Sequence, residues 1–350
     1  MHLDQRVSLK NLNTMGIDAQ ARYFVEARKR EDLFTLLHYR KMVFVPVRIM
    51  GGGSNILFTG DFNGLLVHVN TRGIEVVSED ERHVRLLVQA GEPWDDLVKF
   101  TVDKGWKGLE KLSLIPGTTG AAPIQNIGAY GAEVKESVES VEFVDIREGT
   151  SHMLRNEECR FGYRDSIFKH ELKERIIITG VSFRLGKEDP ATGGEPVESI
   201  NYRDLREELA ASGVMVAGVS RIRDAVVAIR RRKLPDPVVL GNAGSFFKNP
   251  VIPIVKGLEL KQQYPEMPLF RESDDTMGKI PAAWLIEQCG WKGFREGDAG
   301  VHQHQPLVLV NYGKATGMDI LRLSRKIRDS VSERFGISLE MEVSLIGDQA

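Results

Sequence analysis

The chain reads as an α+β protein, and three observations lead there. Strand-like and helix-like pieces alternate between about 20 and 110, but later strands are not interleaved with helices as regular βαβ units require. A long glycine-rich stretch, PGTTGAAPIQNIGAYGAEV (116–134), interrupts the chain without helical or strand period. The C-terminal part then runs through helical patterns to a closing strand pattern. At 350 residues two or three domains are expected, at roughly 100–200 residues each.

Taken in order, LLVHV (65–69) and VRLLVQAG (84–91) read as strands. PWDDLVKFTVDKGW (93–106) reads as a helix, with proline in its first turn and glycine near its end. SVESVEFVDI (137–146) and RIIITGVSFRL (175–185) are strands, and the polar DPATGGEP (189–196) is a candidate boundary. SRIRDAVVAIRRRK (220–233) is a helix with Ile222, Val226 and Ile229 as its buried stripe, stopped by LPDP. GNAGSFFKNP (241–250) is a loop, and a further helix starts at Pro281. Over 317–335, Thr316 and Asp319 make a capping-box start to a helix striped by Ile320, Leu323, Ile327 and Val331. ISLEMEVSLIG (337–347) alternates as one strand, with Leu339, Met341, Val343 and Leu345 on one face and Glu340, Glu342 and Ser344 on the other.

Composition narrows the function classes. Hydrophobic residues are 42%, charged residues 27%, and the net charge of −2 lacks the basic excess of nucleic-acid binders. Cys159 and Cys289 are too few for a disulfide scaffold and are expected as thiols. The N-terminus is polar, without a signal-peptide core, and no run reaches the roughly 18–20 apolar residues of a bilayer span. The expected location is the cytoplasm. His302 and His304 lack a third ligand nearby, so no metal is expected.

Two glycine loops carry the first functional signal. GGGSN (51–55) follows the apolar run VFVPVRIM, where glycines let the backbone turn sharply and aim N–H groups into one concavity, as a phosphate requires. It is not a dinucleotide fingerprint, because Ile56 stands where the third glycine belongs, and no Gly-Lys-Ser/Thr follows. By itself it is a weak signal and reads first as a tight turn between elements. The stretch 116–131 buries little side-chain surface and is costly in chain entropy unless something packs on its backbone. Together the loops favour a flavin nucleotide held by an α+β cradle.

GGGSN, PGTTGAAPIQNIGAYG, CRFGYRDSIFK (159–169) and GNAGSFFKNP, in this order, closely resemble the UDP-N-acetylenolpyruvoylglucosamine reductase (UDP-N-acetylmuramate dehydrogenase) family over nearly the whole chain. The resemblance implies a vanillyl-alcohol-oxidase/PCMH-type FAD-binding domain plus a C-terminal α+β substrate-binding domain. It implies noncovalent FAD, NADPH as co-substrate, and reduction of UDP-N-acetylglucosamine enolpyruvate to UDP-N-acetylmuramate in peptidoglycan precursor synthesis. Cofactor contacts then fall on Gly51, Gly52, Gly53, Ser54 and Asn55, and on Pro116, Gly117, Thr118, Thr119, Gly120, Ala121, Gln125, Asn126, Gly128, Ala129, Tyr130 and Gly131.

The same resemblance makes Ser245 the proton donor, Arg164 the substrate's clamp and Glu342 the essential acid. A guanidinium can fork onto a carboxylate, which lysine cannot. Alternation alone leaves Glu340 and Glu342 equivalent, and the match to LExEV selects Glu342. Lys233, Asn249 and Gln305 match residues of the nucleotide site. Tyr163 and Tyr202 are further substrate candidates, the latter on a closing loop, and Phe270 stands where the family often has tyrosine. Ordinary readings compete: a turn serine, an arginine paired with Asp165, a solvated strand face and a solvated helix end. The alternative functions are another FAD oxidoreductase on this fold and a non-catalytic nucleotide-sugar binder. The expected division is 1–190 for the flavin region, completed by 337–347, then 191–219 as a linker and 220–336 for substrate. The chain is expected to be a monomer that binds neither nucleic acid nor membrane.

Overall fold

β-Branched and aromatic runs build the main sheet of this computed structural model, which describes residues 2–33, 35, 45–189, 193–272 and 275–347. The strands lie in the spatial order Ser151–Arg155, Val138–Asp145, Ile176–Lys187, His83–Gln89 and Ile74–Glu79, all antiparallel. The middle strand is covered: Ile177, Val181, Phe183 and Leu185 are at most 1% exposed. A second sheet pairs Val47–Met50 in parallel with Phe62–Val69, which neighbours Gln20–Ala27. Helix α1, Trp94–Asp103, starts after Pro93 with Asp95 and Asp96 at its positive end, and buries Trp94, Leu97, Val98, Thr101 and Val102.

The chain divides into two compact units, one of Met1–Val7, Ala21–Gly52 and Asn63–Arg232, the other of Ser8–Gln20, Gly53–Phe62 and Lys233–Ala350. The division differs from the expected one. Residues 193–219 are not a free linker: they hold helix α2, Arg203–Ala211, whose Leu205 and Leu209 share a buried cluster with Ile222, Val226 and Ile229. That cluster commits helix α3, Val219–Lys233, to the first unit almost to its end. Glu188 accepts the Val219 N–H at 2.5 Å and so caps α3. The closing segment, expected in the flavin region, belongs to the second unit with Gly53–Phe62, because Ser344–Ile346 pairs in parallel with Ile56–Phe58.

Asp95 ties three pieces of the first unit together. Arg223 of α3 forks onto both its oxygens at 2.8 Å, and the Leu114 N–H donates to Oδ1 at 2.5 Å. Leu114 sits at φ 58°, at the entrance to the glycine stretch. Burial pushes the Asp95 pKa up, but Arg223 and the Leu114 N–H more than offset it, and the net direction is down. A depressed carboxyl stabilises the fold above the unfolded pKa of about 4 and loses that contribution as pH falls through the folded value. Asp95→Asn is therefore expected to cost about 2 kcal/mol in denaturant unfolding at pH 7. The gap to wild type should close below about pH 4; a constant gap would disprove the ionic account.

The second unit is built on the antiparallel order Gly241–Ser245, Val308–Asn311, Ala299–Val301, Arg295–Glu296. Two further helices are α4, Ile254–Gln263, and α5, Ala282–Gln288. Helix α6, Gly317–Phe335, covers the sheet with Ile320, Leu323, Ile327 and Val331, which are at most 1% exposed. Its capping box forms as expected: Thr316 Oγ1 accepts the Asp319 N–H, and Asp319 accepts the Thr316 N–H. The closing segment is not one strand. Met341 makes a single bridge to Phe247, and only Ser344–Ile346 is a strand. The chain changes partner between them, and a change of partner breaks a ladder.

Candidate functional site

In the first unit the glycines serve the meeting of chain with chain. A Cβ on Gly51 would stand 2.3 Å from Thr118 Oγ1, and one on Gly52 would stand 3.1 Å from Gly117 Cα. A Cβ on Gly120 would stand 2.6 Å from the Ala90 Cβ. The two glycine loops thus abut main chain to main chain, and Thr119 and Gly120 donate N–H to Glu92 and Ala90. This answers the entropy objection to so bare a stretch: it is packed by its own fold. It also leaves a junction surfaced by backbone, which suits a pyrophosphate. Gly131 opens outward, where a Cβ would meet nothing within 4 Å. The residues present therefore fit a flavin nucleotide. Asn126 is 0% exposed, donates to Glu133 and Gly162, and accepts the Lys135 N–H, so its side chain belongs to the loop's framework.

Gly128–Ala129 and Ala132–Glu133 form a minimal hairpin whose turn residues, Tyr130 and Gly131, have φ 52° and 82°. Two positive φ values are the mark of a type I′ turn, which prefers asparagine first. An aromatic side chain there is strained, and strain of this kind collects at functional sites. The Tyr130 ring meets Tyr202 edge-on at 5.1 Å, just ahead of α2.

Arg164 also sits at positive φ, 53°, in a tight turn closed by reciprocal bonds between Gly162 and Asp165. Its Nη2 donates to Gly128 O at 2.6 Å, and its guanidinium lies 5.6 Å from the Tyr163 ring. Asp165, the partner in the competing reading, bonds His170 at 2.8 Å. Through Gly128, Arg164 is directed onto the glycine stretch.

In the second unit the strand Gly241–Ser245 carries a bulge between Asn242 and Ser245. Gly244 takes φ 70°, and its N–H is held by Asn242 Oδ1 at 3.0 Å. A glycine in this conformation is how a bulge turns the next residue, here the exposed Ser245. Sequence reasoning passed over Asn242, although Asn-x-Gly was a usable signal. The N-terminal segment buttresses the same strand: Thr14 Oγ1 donates to Asn242 O, and the Asn242 N–H to Thr14 O. A Cβ on Gly241 would stand 2.5 Å from Met15 O.

Glu342 is brought beside that strand. Its N–H donates to Phe246 O at 2.9 Å, and the Lys248 N–H donates to Glu340 O at 2.9 Å. Ser245 therefore precedes the residue whose backbone is bonded to Glu342. Asn55 Nδ2 donates to Glu342 O at 3.2 Å, so the end of GGGSN rests on the same backbone. Glu340 is spent elsewhere, on Lys248 Nζ at 2.5 Å. The structure thus separates two glutamates that alternation could not.

The remaining candidates are placed as follows. Lys233 ends α3, half-buried. Asn249 Oδ1 accepts the Ala282 N–H at 2.9 Å at the start of α5, which leaves its amide N–H groups for donation. The Gln305 N–H donates to His302 Nδ1 at 3.2 Å. Burial, and then His304, pushes the His302 pKa down. Phe270 is 56% exposed on a short edge strand. Both cysteines are free thiols.

Comparison with known proteins agrees with this architecture. Residues 21–155 match the family model described as FAD binding domain. Residues 236–346 match UDP-N-acetylenolpyruvoylglucosamine reductase, C-terminal domain. Relatives of that name from Amoebophilus asiaticus and Chromobacterium violaceum are each 46% identical. The first aligns over 99% of this chain and 100% of its own, the second over 96% of both. The crystal structure of UDP-N-acetylenolpyruvylglucosamine reductase (MurB) from Thermus caldophilus superposes with a TM-score of 0.68 at 25% identity, covering 99% of this chain and 100% of that one. The α+β fold is an FAD-binding domain joined to this family's C-terminal domain, and the chain belongs to the UDP-N-acetylenolpyruvoylglucosamine reductase family.

Proposed function

We propose that this chain uses NADPH to reduce UDP-N-acetylglucosamine enolpyruvate to UDP-N-acetylmuramate, in peptidoglycan precursor synthesis. FAD supplies the hydride relay between the two reactants when bound; its contacts fall on the two glycine loops. The observation that carries the reading is the backbone pairing that sets Glu342 beside the Ser245 strand, in a member of this family.

The residues divide the work by chemistry. Arg164 forks onto the carboxylate of the enolpyruvyl group and neutralises charge that grows there. Glu342 stabilises the enol-like form through its carboxyl group. Ser245 delivers the proton to the neighbouring carbon and, being exposed, recovers it from solvent. Lys233, Asn249 and Gln305 hold the nucleotide, Phe270 stacks on the uracil, and Tyr163 and Tyr202 enclose the sugar. The reading places the enzyme in the cytoplasm as a monomer. Among the described residues no helix is long and apolar enough to cross a membrane.

Arg164→Lys keeps the charge and loses the fork. It should lower kcat/KM by roughly 10–100-fold, the value of a hydrogen bond to a charged group. Unchanged turnover would remove the clamp. The whole reading is tested by anaerobic absorption spectra. Flavin bands should bleach with NADPH and return with the enolpyruvyl sugar nucleotide. Bands that bleach and do not return point to another substrate, and protein that takes up no FAD overturns the proposal.

A further inference from the structure

The second unit takes in Ser8–Gln20 as well as Gly53–Phe62 and the C-terminal part, and that N-terminal segment ties the other two together. It is rigid around Thr14. The neighbouring Asn13 is 6% exposed. Its side chain donates to Leu9 O at 2.7 Å and to Ile17 O at 3.0 Å, and accepts the Ile17 N–H at 3.0 Å. One amide thus closes the turn from both ends.

Thr14 bonds in two directions. Its N–H donates to Gly53 O at 3.1 Å, in the loop assigned to the cofactor. Its C=O accepts the Asn242 N–H at 3.0 Å, and its hydroxyl donates to Asn242 O at 2.7 Å. The hydroxyl has one proton, and Gly53 O, at 3.5 Å, is the poorer acceptor for it. Both flanks are close-fitting. A Cβ on Gly53 would stand 2.0 Å from Leu12 O, and one on Gly241 would stand 2.5 Å from Met15 O. Asn242 in turn holds the Gly244 N–H at 3.0 Å, at the bulge that turns out Ser245. A continuous run of hydrogen bonds therefore leads from Gly53 through Thr14 and Asn242 to the residue before Ser245.

None of the roles above uses Thr14. Its two backbone bonds would survive a change of side chain, so the bond from its hydroxyl to Asn242 O is the part that residue type decides. Proton delivery is sensitive to such a bond, because a misplacement of about 1 Å costs on the order of 10²-fold in rate. We propose that Thr14 is a positioning residue for the substrate half-reaction: its hydroxyl fixes the Gly241–Ser245 strand against the loop that ends in Gly53, and so sets where the Ser245 hydroxyl stands. This rests on the function proposed above.

Thr14→Val keeps the shape and loses the hydroxyl, Thr14→Ala loses it with less bulk, and Thr14→Ser keeps it. Rapid-mixing absorbance reads the two half-reactions. FAD affinity is measured by reconstitution of the apoprotein, with thermal unfolding in parallel. Thr14→Val should slow return of the flavin bands with the enolpyruvyl sugar nucleotide by roughly 10–100-fold, and leave bleaching by NADPH and FAD affinity within about twofold of wild type. Thr14→Ala should match it, and Thr14→Ser should restore the rate to within about threefold of wild type. The double variant separates positioning from general damage. If Thr14 acts through Ser245, adding Thr14→Val to Ser245→Ala should change the remaining rate by no more than about twofold, whereas independent sites multiply their effects. Wild-type rates in Thr14→Val, disagreement between the two hydroxyl-free variants, failure of serine to rescue, slowing of both half-reactions, weakened FAD, or multiplied effects in the double variant each overturn the proposal. Wild-type protein whose flavin bands do not return with the sugar nucleotide overturns the proposed function itself. Bands that return alike in wild type and Thr14→Val overturn this inference alone.

Discussion

Ser245→Ala is expected to keep bound FAD and its reduction by NADPH, and to slow reduction of the sugar nucleotide by roughly 10²–10⁴-fold, the usual value of a positioned proton donor. The two half-reactions separate because hydride transfer from NADPH requires no proton at the substrate carbon. The substitution is small and the site tolerates it. Ser245 is exposed at the end of a strand whose shape is set by Asn242 and Gly244, so alanine should fold as serine does. Rapid-mixing absorbance reads each half-reaction alone. Near-normal return of the flavin bands in the variant would remove the proton-donor role, and slowing of both halves would show damage to flavin binding instead.

Glu342→Gln should be comparably severe, with Glu340→Gln as its control. The carboxylates lie two positions apart but have different company. Glu340 is 70% exposed at its side chain and pairs with Lys248. Exposed pairs contribute about 0–1 kcal/mol, so Glu340→Gln should leave turnover near wild type and stability within that range. Glu342 is half-buried, and its backbone is bonded to Phe246 and Asn55. Loss of its acid should lower turnover by roughly 10²–10⁴-fold if it acts in proton transfer or stabilises the enol. Equal effects of the two substitutions would erase the distinction between them.

The elements read most clearly from sequence are those specified by nearest neighbours. Proline before Trp94 and the Thr316–Asp319 box start their helices where expected, since both act within one turn. Two helices escaped for local reasons. Helix α2 shows only Leu205 and Leu209 as buried positions. Helix α4 carries Gly257 in its interior, a helix-weakening residue kept because a Cβ there would stand 2.9 Å from Leu269 Cδ1. The closing strand was misread because alternation reports which face is buried and is silent on which partner is paired.

The site divides along the same line. The glycine loops and the segments that carry Arg164, Ser245 and Glu342 stood out as motifs by their order, which is what the family resemblance rests on. Asp95 was concealed in an ordinary first turn. The sequence by itself determined the α+β class, the α1, α3 and α6 helices and the family to which the motifs belong. Only the tertiary structure decided that Glu340 pairs with Lys248 while the Glu342 backbone is bonded beside the Ser245 strand. Only it decided that the glycines of 51–52 meet 117–118. Those facts depend on which distant segments share a hydrogen bond or a van der Waals contact, and no local period encodes that.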